Sequence, residues 1–245
     1  MSKTKSEGKF SEEEMEEMIL NRVGEVTGNE KAPSFLTERQ MEDLEHYIED
    51  RWGSGEEDGH VFHEMSSAFV HTDVMALGKE GENKTFATFG MSAREMPVPE
   101  AARPYFDTRI ELVMRASPDL EIGADAKDPR AGMIVASELV NVSKYPFWRN
   151  SWLGSLHTLN ASDDFREKFG YEFFLFVPFG EVEPKGLGHV TYLLMIPVYE
   201  EERNWMASHP DGSERFLEAD LDTLDDDECD LAWIDRPRDV ILPED

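Results

Sequence analysis

The alternation of apolar and polar positions predicts two helices in the first part of the chain. The first begins at Ser11 in residues 11–26, where a serine followed by glutamates is an N-terminal capping signal. The second is opened by Thr37 and covers residues 37–52. The apolar residues that recur at helical spacing are Met15, Met18, Ile19 and Val23 in the first helix, and Met41, Leu44, Ile48 and Trp52 in the second.

The middle of the chain has the pattern of short strands. Short runs rich in apolar residues are separated by glycine or by charged residues, as hairpins require. These runs are residues 60–64, 68–77, 84–90 and 108–116. In the last run Ile110, Leu112 and Met114 alternate with Arg109, Glu111 and Arg115, which predicts one apolar and one polar face.

The second half of the chain contains its two most apolar runs. Because they are short and almost continuously apolar, we expect them to be the central strands of a sheet. The predicted elements are a helix over residues 129–144, a loop with aromatic anchors over 148–160, strands over 171–179 and 189–199, and one or two helices over 200–221, interrupted near His209.

This order of elements predicts an α+β fold. Consecutive strands fill the middle, and helices lie at the N-terminus, in the middle and near the C-terminus, without a regular alternation of strand and helix. We expect a single domain with a central sheet that is mainly antiparallel or mixed. Residues 1–59 are predicted to form an N-terminal segment of two helices packed on a domain formed by residues 60–245.

Composition adds a strong charge to this picture. The chain of 245 residues has 53 acidic and 24 basic residues, so its net charge is −29, yet 40% of its residues are apolar and can form a large core. Like charges disfavour nucleic acid and anionic membranes as partners and favour basic proteins. Two other interpretations are a coat that confers solubility and a surface adapted to salt.

Several classes of protein are disfavoured by simple features. A single cysteine, Cys229, excludes an internal disulfide and a cysteine-based zinc cluster. The N-terminus has no apolar core of a secretory signal, and no run is long enough to span a membrane. We therefore expect a cytoplasmic protein without a metal or other cofactor.

Candidate catalytic groups are few. His71 and Asp73 are two positions apart and would share one face of a strand, so they could act as an acid/base pair or form a structural hydrogen bond. A hydrolase would need His157 beside them. The order of His60, His63 and Glu64 fits no zinc-protease motif, and neither a GxSxG motif nor a phosphate-binding loop occurs. No enzyme signature therefore stands out.

An ordered set of short motifs resembles the bacterial branch of the Suppressor of Fused domain family. The motifs are VHTDV (70–74), GMSAREMPVP (90–99), ELVM (111–114), WLGSLHT (152–158), MIPVYEEE (195–202) and IDRPRDV (234–240). They occur in the family's order and cover residues 60–245, whereas residues 1–59 match no motif. The segment 220–230 is an acidic insertion relative to this pattern.

The resemblance implies a protein-binding domain without enzymatic activity. Larger members of the family sequester transcription factors and hold a peptide by strand addition between two domains. The resemblance to bacterial members also implies an immunity protein that inhibits a toxin, and a basic toxin domain would suit an acidic inhibitor. The alternative is a regulatory interaction scaffold without any link to a toxin.

The family-like loops supply the predicted partner-binding residues. These are Met91, Ser92 and Arg94 in one loop, and Trp152 and His157 in another. Each also has a structural interpretation, because Met91 and Trp152 could be core or loop anchors and Arg94 could pair with a carboxylate. If the partner binds by strand addition, backbone groups of an exposed edge contribute more to recognition than these side chains.

Overall fold

The computed structural model describes residues 33–53, 60–65, 67–78, 81–122, 126–218 and 232–243. All of them belong to one compact unit, Pro33–Asp245. The predicted helix that begins at Ser11 and the acidic segment 220–230 lie outside the described residues. The boundary predicted between residues 59 and 60 stays a prediction.

The described residues form five α-helices and seven strands. The helices are α1 (Glu38–Trp52), α2 (Pro129–Arg149), α3 (Asp163–Phe169), α4 (Glu200–Ser208) and α5 (Gly212–Glu218). The strands are β1 (His60–Phe62), β2 (Asp73–Leu77), β3 (Lys84–Phe89), β4 (Ile110–Ala116), β5 (Thr158–Asn160), β6 (Phe173–Val182) and β7 (Val190–Val198).

All seven strands belong to one sheet with the order β1-β2-β3-β4-β7-β6-β5. Every neighbouring pair is antiparallel except β4 and β7, which are parallel and pair Ile110 with Thr191. The predicted α+β class and mixed, mainly antiparallel sheet are therefore confirmed. The most apolar strands, β6 and β7, lie in the second half of the sheet, and β7 is next to its centre.

A hydrophobic core lies on each face of the sheet. On one face α2 and α3 pack against alternate strand residues, among them Ile110, Leu112 and Met114. On the other face α1, α4 and α5 cover the intervening residues, such as Val113 and Leu194. The predicted alternation in β4 is thus confirmed, but both of its faces are buried, because the second helical layer covers the face that carries Glu111 and Arg115.

Helix α1 forms where its sequence predicts it. Thr37 and Gln40 form a capping box in which each side chain accepts a hydrogen bond from the other's backbone N–H. Leu44 and Ile48 are completely buried against the sheet. The predicted apolar face is therefore the one that packs.

Helix α2 continues beyond its predicted end at residue 144. Pro146 lies inside the helix, and the helix ends only at Asn150, whose left-handed backbone caps it by donating to the carbonyl of Pro146. The predicted loop over residues 148–160 is wrong at both ends for this reason. Its first residues are helical, and its last three form β5.

Helix α3 was not predicted from the sequence. Ser162 caps its N-terminus by accepting from the N–H of Phe165, and Gly170 ends it in a left-handed conformation. The helix has only seven residues, so it shows too little periodicity to be detected. Its function in the fold is to bury Phe165 beside α2.

Candidate functional site

Two of the family-like segments meet at the C-terminal half of α2. Lys144 forms an ion pair with Glu64, close to the VHTDV segment. Phe147 lies under the guanidinium of Arg94, 5.4 Å from the ring centroid, which brings the GMSAR segment to the same helix. Motifs that are far apart in sequence therefore surround one short stretch of helix.

The GMSAR segment is fixed from below by a buried carboxylate. Glu111 accepts hydrogen bonds from the backbone N–H of Gly90 and of Ser92, both at 2.9 Å, and from the hydroxyls of Ser92 and Thr88, both at 2.6 Å. Its burial raises the pKa of the Glu111 carboxyl, although these donors act in the opposite direction. The carboxylate thus acts as the anchor of this turn.

Met91 and Ser92 are buried by this arrangement, at 1% and 0% exposure. Their side chains offer no surface to a partner in this structure, which supports the structural interpretation of both residues. Gly90 has a φ of 125° and lies against the backbone of His71, where a Cβ would collide with the carbonyl oxygen. The turn is therefore built for close packing.

Strand β5 forms one edge of the sheet, and no strand lies beyond it among the described residues. It pairs with β6 in antiparallel register, with Leu159 opposite Phe174. The N–H of Ala161 donates to Glu172, and the carbonyl of His157 accepts from Phe176, so the odd-numbered residues bond to β6.

The even-numbered residues of β5 consequently turn their backbone groups away from the sheet. Hydrogen-bonded and outward-facing residues alternate along an antiparallel strand. The N–H and C=O of Thr158 and Asn160 therefore point to the open edge, and both residues are exposed. An open edge of this kind is a template for pairing with another strand.

A shallow aromatic groove, here called the edge groove, runs between β5 and α2. It is lined by Tyr145, Trp148, Trp152, His157 and Leu159. Two of the predicted partner-binding residues, Trp152 and His157, are thus brought together beside the open edge. Their ring centroids are 6.1 Å apart, and Phe106 packs against both.

The segment that leads into β5 is partly buried. Leu156 has a φ of 65°, unusual for a bulky residue, and its N–H donates to Phe176. Burial lowers the pKa of the His157 imidazole, which also donates to the backbone of Trp152. A bulky residue held at a positive φ stores backbone strain, which often occurs near functional sites.

The residues of the predicted hydrolase site lie at distant strands of the sheet. His71 Nε2 lies 3.3 Å from Asp73 Oδ1, and Asp73 also accepts from the N–H of Glu64 and contacts His63. Strand β2 begins at Asp73, whereas His157 precedes β5, five strands away. At ~4.8 Å per strand the separation is ~24 Å, far beyond hydrogen-bond reach. The structure therefore contradicts a single site containing His71, Asp73 and His157.

A serine not named from the sequence does contact the histidine. Ser67 Oγ lies 2.6 Å from His71 Nδ1 and also donates weakly to Glu64. The carboxylate of Glu64 further accepts from the N–H of Thr72, so these contacts tie a loop to α2. This supports the structural interpretation of the His71–Asp73 pair.

Neither a metal centre nor a membrane-spanning helix is found in the described part of the chain. No group of three or more potential ligands is close enough to hold a metal ion. None of the described helices is sufficiently long and apolar to cross a bilayer.

The parts of the site missed from the sequence are β5 and the outer residues of α2. Thr158, Leu159 and Asn160 are too few to show strand alternation. Tyr145 and Trp148 follow the predicted end of the helix, so the sequence did not indicate which helix face they would occupy. The WLGSLHT motif was the only sequence signal near this edge.

The fold and site together describe an α+β domain with one open strand edge beside an aromatic groove. A family model for the Suppressor of fused protein (SUFU) matches residues 69–237, more than half of the chain. The chain belongs to the SUFU family, as the ordered motifs predicted.

One solved structure supports the fold, and two further matches are weaker. A SUFU homologue from Neisseria gonorrhoeae FA 1090 is 14% identical, with a TM-score of 0.50, over 74% of this chain and 90% of that protein. Drosophila Suppressor of Fused is 15% identical, with a TM-score of 0.47, over 90% of this chain but only 50% of its own. A chain of the Sufu-Fu complex is 15% identical, with a TM-score of 0.44, over 91% and 90%. No curated protein sequence matches significantly.

Proposed function

We propose that this chain is a non-enzymatic protein-binding domain that adds an extended segment of its partner to β5. The observation that carries the proposal is the outward-facing backbone of Thr158 and Asn160 beside the edge groove. Main-chain hydrogen bonds would supply affinity, and the groove would supply pockets for alternate side chains.

The predicted contact residues take different parts in this proposal. Trp152 and His157 line the groove and would contact the partner's side chains. Arg94 would contribute from beside Phe147, where its guanidinium remains partly exposed. Met91 and Ser92 would act only indirectly, by holding the turn that carries Arg94.

More specifically, the proposed role of this domain is that of an inhibitor of the immunity or antitoxin type, which sequesters a toxin domain in the cytoplasm. The net charge of −29 supports a basic partner, because it would accelerate encounter and disfavour nucleic acid and anionic membranes. A regulatory scaffold with no toxin link is the alternative. The test is to measure the association rate of this protein with the product of a neighbouring toxin gene at several salt concentrations. If rapid, salt-dependent association is not observed, the scaffold is favoured.

Strand addition is tested with a peptide selected on the intact protein from a random phage library of about 12 residues. Asn160→Pro removes an outward N–H but leaves the bonds to β6, so we expect it to weaken the peptide's Kd by about tenfold or more. Asn160→Ala is the matched control, because it keeps the N–H, and should change the Kd by less than about threefold.

Hydrogen exchange gives an independent readout of the same bonds. On peptide binding, the amides of Thr158 and Asn160 should become protected, while thermal unfolding should show that both variants are folded. Equal affinity of Asn160→Pro and wild type, with no new protection in β5, would rule out strand addition at this edge.

A further inference from the structure

The outward face of α2 is without acidic residues. Seven residues of α2 are exposed, and none is a carboxylate. In α1, seven residues are likewise exposed, and four of them are acidic. The chain has 53 acidic residues, yet this helix of 21 residues exposes no carboxylate. Its outer surface therefore lacks the negative charge that α1 carries.

Exposed apolar side chains lie on this face. Met133 and Trp148 of α2 are 56% and 53% exposed, and Met65, which follows β1, is 96% exposed. Met133, Ser137, Asn141 and Trp148 follow helical spacing and form one stripe along the helix. Met65 and Met133 line the same depression, and exposed apolar residues that lie together in this way are typical of interaction surfaces.

Surface depressions connect this stripe from one edge of the sheet to the other. A groove between β1 and α2, here called the β1 groove, is lined by Phe62, Met65, Met133, Val140, Asn141 and Lys144, among others. Asn141 also lines the depression beside β5, which belongs to the edge groove. Asn141 therefore lies between the two grooves and lines both of them.

The carboxylates that do line these grooves are buried and bonded. The side chain of Glu64 is 5% exposed and pairs with Lys144, and Glu138 is 3% exposed and accepts from the N–H of Ser162. Arg149, at the end of α2, lies over the ring of Trp148. The accessible lining is thus apolar to weakly basic.

From this we infer that the stripe along α2 is a second part of the binding surface, and that it accepts an apolar, non-basic segment of the same partner. This inference rests on the proposed strand addition at β5, from which the surface continues. A basic segment would find no carboxylate to pair with here, whereas methionine side chains adapt to varied apolar partners. The acidic coat then acts at a distance and does not make the contact.

The test uses a peptide of about 20 residues, selected from a random library and chosen because Asn160→Pro abolishes its binding. Met133→Asp and Ser137→Asp place a carboxylate on the stripe outside the edge groove, and each should weaken the Kd by about tenfold. Ala207→Asp, on exposed α4 across the sheet, is the matched control and should stay within about twofold. Raising the salt concentration should change the wild-type Kd little.

The outcomes separate the two proposals. If Asn160→Pro weakens every selected peptide but both stripe variants bind normally, strand addition stands and the α2 surface is wrong. If selected peptides all tolerate Asn160→Pro, strand addition itself fails, and the continuous surface with it. Peptides enriched in Lys and Arg, with strongly salt-dependent binding that the stripe variants strengthen, would also overturn the inference.

A second copy of the chain is the other conceivable occupant of the stripe. Sedimentation of the wild-type protein should show a monomer, because two molecules of charge −29 repel each other. A dimer that Met133→Asp dissociates would assign the stripe to self-association and overturn the inference.

Discussion

The helical layers on the two faces of the sheet have similar interiors but different exteriors. Leu44 of α1 and Leu139 of α2 are each completely buried against the sheet. Over their whole lengths, α1 carries six acidic residues in 15, whereas α2 carries one in 21, and that one, Glu138, is buried. The charge of this protein is therefore not a uniform coat. Acidic residues are absent from the exposed positions of α2, which lie beside the two grooves.

The largest expected effect tests whether the two interiors are indeed equivalent. Leu44→Ala and Leu139→Ala should each lower the free energy of unfolding by about 2–5 kcal/mol, because each leaves a cavity in a closed core. Chemical denaturation measures both, with the exposed Leu242→Ala as a control that should change little. A much smaller value for Leu44→Ala would show that α1 is peripheral to the fold.

The second prediction tests whether the pH dependence of the free energy of unfolding comes from the acidic surface residues or from the buried carboxyl of Glu111. Glu111→Gln should cost about 1–3 kcal/mol at neutral pH, because an amide cannot accept from all four donors. Urea denaturation across the acidic to neutral range measures it.

The sign of that pH effect follows from the raised pKa of Glu111. A carboxyl whose pKa is higher in the folded state stabilises the fold most when it is protonated, so its contribution is lost as pH rises from its ordinary range through the folded pKa. Relative to Glu111→Gln, the wild type should therefore lose stability as pH rises in this window. If the free energies of unfolding of wild type and Glu111→Gln changed equally with pH, the surface carboxylates would be the source of the pH dependence.

The third prediction tests how deeply His157 is buried in the edge groove, on the α2 side of the sheet. Because burial lowers the pKa of His157, its NMR titration in the folded protein should occur at lower pH than in the urea-unfolded chain. The associated stability is present above the unfolded pKa and is lost as pH falls from that value through the lower folded pKa. Titration at the unfolded value would mean that His157 is fully solvated and that the edge groove is looser than described.

The smallest expected effect concerns repulsion on α1. Glu49 and Glu42 contribute to the raised pKa of Glu45, after burial. Glu45→Gln should stabilise the protein by about 0.2–0.5 kcal/mol at low salt, and the gain should shrink at about 0.5 M NaCl. Ser137→Gln on α2 is the matched control, and its effect should not depend on salt.

Long periodic elements were predictable from the sequence because their own residues determine them. The α+β class, α1 with its Thr37 cap and the alternation in β4 follow from local pattern. The end of α2 was not predictable, since Pro146 normally ends a helix but is accommodated here in a buried turn. Tertiary packing overrode the local signal.

The candidate site was only partly predictable for a similar reason. The motif containing Trp152 and His157 marked the region, but the edge exists only because β5 pairs with β6 and nothing described pairs beyond it. Glu111 was assigned to a polar face, and only the fold shows that it anchors the turn around Ser92. Such relations join segments that are distant in sequence.

The parallel pairing of β4 with β7 has a consequence for the order of folding. Strands β1 to β4 form a meander of near neighbours, and β5 to β7 form the other half of the sheet. Residues 110–113 must pair with 191–194 to join the two halves. Closing so long a loop is slow, because its entropy is lost before the contact is gained. We therefore expect the two halves to form early and to join late, so that a kinetic intermediate would have unpaired β4 and β7 edges.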